Sequence, residues 1–119
     1  MLRPMMRAKI HRATVTDADL DYVGSISIDP ELMAAADLRE FEQVHVLDIT
    51  NGARLVTYAM VSGAGEICLN GAAAHLVAVG DLVIIVAYAD VDEADLERFT
   101  PRIVHVDASN RVHAPVPTG

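Results

Sequence analysis

Short runs rich in β-branched residues, each closed by a turn signal, constrain this chain more than any other feature. Seven such runs are Met6–Val15, Ser25–Asp29, Gln43–Ile49, Leu55–Val61, Ile67–Leu69, Leu82–Tyr88 and Ile103–Asp107. Strands of this length, broken so often, predict a β-barrel or sandwich. The breaks carry the right chemistry: Asn51-Gly52, Gly63 with Gly65, Asn70-Gly71 and Gly80-Asp81. Asn-Gly tolerates the positive φ angles of a tight hairpin, which is the connection expected between the third and fourth runs. Helix is scarce. Asp29-Pro30 predicts an N-cap followed by proline at the first helical position, opening Glu31–Ala36. Asp92–Phe99 is a second candidate helix, and Ala72–Ala74 has room for one turn. One barrel domain over 1–107, with a loose tail over 108–119, is the expected organisation.

Composition narrows the function classes. Hydrophobic residues are 52% and charged residues 22% of 119, so the chain can bury a core and is not disordered. The longest apolar run, Leu82–Ala89, is far shorter than the roughly 18 residues a membrane helix needs, and no signal-peptide run follows the N-terminus. The net charge of -8 argues against a nucleic-acid or anionic-membrane partner. A single cysteine, Cys68, excludes an internal disulfide, reads as a small strand residue in the core, and fits the cytoplasm.

Several constellations carry little. The five histidines, at 11, 45, 75, 105 and 113, lack the i, i+2 to i+5 spacing of common zinc motifs, so no metal is expected. Gly63-Ala64-Gly65 lacks the lysine and helix of a phosphate loop. No Gly-x-Ser-x-Gly elbow occurs. The acidic run Asp90–Glu97 reads as a solvated helix face. Ile10-His11, Val44-His45-Val46 and Val104-His105-Val106 share a pattern too short to define a repeat.

The informative segment is Tyr22-Val23-Gly24-Ser25-Ile26-Ser27-Ile28-Asp29. Alone, Gly-Ser is a common turn dipeptide. Here Lys9-Ile10-His11-Arg12 precedes it, and Asn51-Gly52-Ala53-Arg54-Leu55-Val56-Thr57-Tyr58-Ala59 and Asn70-Gly71-Ala72-Ala73-Ala74-His75 follow. In that order and spacing, the chain closely resembles the pyruvoyl-dependent aspartate 1-decarboxylases, from about Met1 to Asp107. Two departures stand out. Asp21 occupies a position where the family commonly has histidine, and the 62–66 hairpin is shorter and lacks an Arg-Gly-Ser run.

The resemblance implies a mainly β fold, a double-psi β-barrel, assembled as a homotetramer with active sites between subunits. It implies a proenzyme that cuts itself between Gly24 and Ser25, leaving a β chain of 1–24 and an α chain of 25–119. Serine brings a hydroxyl able to attack the preceding carbonyl, and glycine lets the backbone enter a strained conformation there. The product is a pyruvoyl group at residue 25, which forms a Schiff base with L-aspartate and acts as an electron sink while CO2 leaves, giving β-alanine for pantothenate and coenzyme A synthesis. Tyr58 matches the family's proton donor; a phenol, with an ordinary pKa of about 10, carries a proton at neutral pH. Arg54 matches the ligand of a substrate carboxylate, with Lys9 adding positive potential. Thr57 matches a threonine that binds substrate and assists cleavage at the Gly24 carbonyl. Gly71, Ala72 and Ala73 match the substrate-binding loop, and His11, Tyr22 and Asn70 match supporting positions. Some members of the family need a helper protein to mature. On sequence alone, two alternatives stay open: a non-catalytic barrel that binds a ligand, and a decarboxylase of another amino acid.

Overall fold

A computed structural model describes residues 1–113. Eight strands form one sheet: β1 (Leu2–Thr14), β2 (Asp17–Asp19), β3 (Ser25–Ile28), β4 (Gln43–Asp48), β5 (Arg54–Val61), β6 (Ile67–Asn70), β7 (Leu82–Asp92) and β8 (Arg102–His105). Their order is β2-β6-β3-β5-β4-β7-β1-β8. This order forces closure. β1 and β2 are six strand positions apart, about 29 Å across a flat sheet at about 4.8 Å per strand. Only Val15 and Thr16 join them, a link that spans at most about 11 Å. The sheet therefore curls until the end of β1 reaches the start of β2. Thr16 N–H then donates to Ile67 O at 2.8 Å and its Oγ1 accepts from Ile67 N at 2.9 Å, while Val15 N–H donates to Asp81 O at 2.9 Å. The result is a mainly β protein, a double-psi β-barrel with few short helices.

The barrel is filled by the alternate residues that the strand pattern supplies. Ile10, Ile26, Ile28, Val44, Val46, Ile67, Leu69, Val83 and Ile85 are all at most 1% exposed. α1 (Pro30–Ala36) closes one side with Leu32, Met33 and Ala36 inward. Asp29 caps it as expected: its Oδ1 accepts from Glu31 N at 2.6 Å and Leu32 N at 3.3 Å, and its Oδ2 accepts from Gly65 N. At the other end Arg7 donates to Asp37 O at 2.9 Å and pairs with Glu42.

Several expectations are corrected. β1 begins at Leu2 rather than Met6, because its first residues pair with the far end of β7, which runs on to Asp92. Asp17-Ala18-Asp19 is a strand with no β-type composition, held by parallel pairing to β6. The Asn51-Gly52 connection is not a two-residue hairpin. Asp48 Oδ1 accepts from Thr50 N and Asn51 N, and only Gly52, at φ +79°, is left-handed. The candidate helix at 92–99 is a 3-10 segment over Glu93–Arg98, and Asp90 and Asp92 belong to β7.

Residues 108–113, expected in the loose tail, form a turn tied to the barrel; 114–119 lie outside the described residues. Asn110, 2% exposed, is the fastening. Its Oδ1 accepts from Thr14 N at 2.7 Å, and its Nδ2 donates to Thr14 O at 2.8 Å and Gly65 O at 3.0 Å. It thus links the end of β1 to the β5–β6 turn. Replacing Asn110 with alanine strands three part-buried backbone groups, so Asn110→Ala should lower unfolding free energy by about 1–3 kcal/mol in denaturant titration. An unchanged midpoint would show that this fastening contributes nothing.

Candidate active site

The parallel register of β3 with β5 sets the site. Ile26 pairs with Ala59, so the start of β3 lies beside Thr57 and Tyr58. On its other edge β3 runs antiparallel to β6, with Ser25 opposite Asn70 and Ser27 opposite Cys68. The Gly24-Ser25 junction thus lies where two strands and the 71–75 turn converge. Gly24, Thr57, Tyr58, Ala72 and Ala73 line one open pocket of about 360 Å³, walled also by Leu55, Val56 and Leu76. Five of the residues singled out from sequence therefore share one cavity.

Ser25 is 1% exposed. Its hydroxyl donates to Val23 O at 3.3 Å and accepts from Asn70 Nδ2 at 3.0 Å. Asn70, itself 3% exposed, also donates to Ser27 Oγ at 2.9 Å. Buried polar groups of this kind persist only when paired, so the serine hydroxyl is held by geometry rather than by solvent.

The demand for glycine falls at a different place from the one expected. Gly24 does not adopt a positive φ, and a Cβ there would meet only Asn70 O, at 3.9 Å. The backbone strain anticipated at Gly24 is absent from the uncut chain. Gly71 is the constrained one. It sits at φ +64°, and a Cβ would come within 2.6 Å of Gly24 Cα and 2.8 Å of Gly24 N. The Asn70-Gly71 pair thus presses its backbone onto the Gly24 segment.

Other sequence-predicted residues lie apart. Arg54 is exposed at the start of β5 and does not line the pocket. Lys9 and His11 are on β1, separated from β5 by β7 and β4, about 14 Å along the sheet at about 4.8 Å per strand. Lys9 pairs with Val86, Val86 with His45 and His45 with Val56, so Lys9 shares an outer face with Val56 and Arg54. Burial, then the charges of Lys9, His105 and Arg12, push the His11 imidazole below its ordinary pKa, which favours the neutral ring. His11 meets His105 edge-on at 5.6 Å. Tyr22 is 61% exposed and borders a second, polar cleft of about 510 Å³ with Asp17, Asp19, Ser27, Cys68 and Asn70. Cys68, expected in the core, is half-buried and faces that cleft.

Sequence reasoning missed Phe41. It holds φ +70°, uncommon for a bulky residue, and is 71% exposed. Its ring stacks against Tyr58, with centroids 6.3 Å apart and planes at 26°. No composition or spacing signal marks it, because the stacking follows from the loop's left-handed turn into β4.

Gly71→Ala should therefore cost about 2 kcal/mol or more, from the left-handed φ and the clash with Gly24 together, whereas Gly24→Ala should cost under about 1 kcal/mol. Equal losses in denaturant titration would contradict the assignment of the close approach to Gly71.

The sequence matches the aspartate decarboxylase family over residues 1–113, nearly the whole chain. With the barrel, the buried serine after Gly24 and the tyrosine-bearing pocket in place, the chain belongs to the aspartate decarboxylase family.

Proposed function

We propose that the protein is a pyruvoyl-dependent aspartate 1-decarboxylase that makes β-alanine for pantothenate and coenzyme A synthesis in the cytoplasm. The observation that carries this reading is the placement of Ser25: a buried hydroxyl immediately after Gly24, held by Asn70, at the edge of a pocket bearing Tyr58. The residues fit the group. A pyruvoyl unit would keep the Cα, Cβ and carbonyl of residue 25 and take a ketone oxygen from water where the nitrogen leaves as ammonia, so it needs no added volume in a position already 1% exposed. When present, that group supplies an electrophilic ketone and a sink for the electron pair left by departing CO2.

The chain's own residues do the rest. Ser25 Oγ attacks the Gly24 carbonyl carbon, and Thr57 stabilises the oxyanion formed there, a role supported by its sharing a pocket wall with Gly24. Tyr58 lines the pocket with its ring stacked on Phe41, and is the group that would supply a proton to the substrate carbon that loses CO2. Ala72 and Ala73 keep the wall low enough for a small amino acid to approach the backbone.

Arg54 and Lys9 carry the charge that a dicarboxylate substrate requires. Lys9 is out of reach of its own pocket, so a neighbouring copy supplies it, as expected of a homotetramer with shared sites. The outer surface supports assembly: Val56 and Leu76, at the pocket rim, are 56% and 45% exposed, and Tyr88 and Ile103 are 48% and 45% exposed. Apolar exposure on this scale favours burial against another subunit.

Denaturing mass spectrometry of purified protein should find fragments 1–24 and 25–119, the larger beginning with a ketone rather than an amine. Ser25→Ala should abolish both cleavage and CO2 release from L-aspartate. A fully active enzyme that remains uncut would overturn the pyruvoyl reading, and a chain neither cut nor active would favour the ligand-binding barrel. Tyr58→Phe should cut normally yet turn over about 10²–10⁴-fold more slowly. Undiminished turnover in that variant would remove Tyr58 as proton donor.

A further inference from the structure

We propose that Cys68 is a positioning residue for self-cleavage: its thiol fixes the Asn70 amide in the one orientation that aims an N–H at the Ser25 oxygen. The proposal rests on the reading of Ser25 as the cleaving nucleophile.

The antiparallel register of β3 and β6 places Ser25 opposite Asn70 and Ser27 opposite Cys68. All four side chains therefore share one face. Asn70 Nδ2 donates to Ser25 Oγ at 3.0 Å and Ser27 Oγ at 2.9 Å, and Cys68 Sγ donates to Asn70 Oδ1 at 3.0 Å. Every bond of the buried amide end is thus assigned. A flipped amide would point its oxygen at Ser25, which could donate to it only by giving up its bond to Val23 O. It would also turn its NH2 toward sulfur, a weak acceptor. The thiol is the donor that separates the two orientations.

That role requires a protonated sulfur. Burial, then the charges of Asp17 and Asp19, push the Cys68 thiol above its ordinary pKa. The competing acceptor, Leu69 O, is 3.9 Å away, well beyond the distance to Asn70.

The orientation matters because the Ser25 oxygen is the atom on which charge changes. In the acyl shift, Oγ bonds to the Gly24 carbonyl carbon, the Gly24–Ser25 C–N bond breaks, and the freed nitrogen takes the hydroxyl proton. In the elimination that follows, the residue 25 Cα gives its proton to solvent and the Cβ–Oγ bond breaks. The oxygen departs with the electron pair as part of the Gly24 carboxylate. An N–H fixed on that oxygen stabilises the charge it gains. A freely flipping amide would present it only part of the time.

The test follows conversion of freshly purified precursor to fragments by denaturing mass spectrometry, with folding checked by circular dichroism. Cys68→Ala and Cys68→Val, which cannot donate, should slow cleavage about tenfold or more, the effect of losing one well-placed hydrogen bond. Cys68→Ser, which keeps a donor, should restore the rate to within about threefold of wild type. In an Asn70→Ala background, Cys68→Ala should add no further slowing, since its effect runs through that amide. Folded Cys68→Ala and Cys68→Val cutting at the wild-type rate, a folded Cys68→Ser as slow as alanine, or additive slowing in the double variant would each overturn the proposal alone. A wild-type chain that never cuts would overturn the reading of Ser25 together with it.

Discussion

Closure of the sheet by a two-residue link is the constraint on which the rest of the molecule depends. With only Val15 and Thr16 between β1 and β2, strands at opposite parts of the order must meet. Their meeting places β2 on the edge of β6 and brings the 20–24 segment across the Asn70-Gly71 turn. Gly71 then packs its α-carbon against Gly24, and the hydroxyl of Ser25 comes under Asn70. Local propensity could not hold a buried serine there; the topology does.

The Gly24–Ser25 junction is consequently flanked on two sides. Thr57 and Tyr58 reach the open pocket from β5, while Asn70, Ser27 and Cys68 form a hydrogen-bonded polar layer on the opposite flank. The first group suits chemistry on a bound amino acid. The second suits control of one serine oxygen. A residue confined between them can change its covalent state without a rearrangement of the walls, because the walls belong to strands fixed by the barrel core.

Much of this was legible from residues alone. The strand runs followed β-branched composition, and the helix at Pro30 followed its aspartate cap, both local signals that tertiary packing reinforces. What escaped was set by partners distant in sequence. Asp17-Ala18-Asp19 has no strand propensity and is a strand only because β6 lies beside it. Asn110 looks like a tail residue until Thr14 and Gly65 arrive within hydrogen-bonding distance. At the candidate site, five residues singled out by motif order, Gly24, Thr57, Tyr58, Ala72 and Ala73, line one cavity, yet the need for glycine was assigned to residue 24 when the tight contact is at 71. Lys9 and Arg54 lie apart from that cavity, on the outer face of the sheet, because register across three neighbouring strands rather than motif order decides where they sit.

The location of the Gly24–Ser25 bond has a consequence for how the molecule holds together. The segment before it contains β1, which lies between β7 and β8, and β2, which pairs with β6, so the two halves of a severed chain would remain paired with each other at both ends of the strand order. Their union is then an equilibrium between separate molecules. Melting becomes dissociation, the transition temperature rises with protein concentration, and recovery from full denaturation is second order. The cut proposed for this bond, made once inside an already folded barrel, would thereby convert a self-assembling chain into one whose native form is reached most readily along the path by which it was first made.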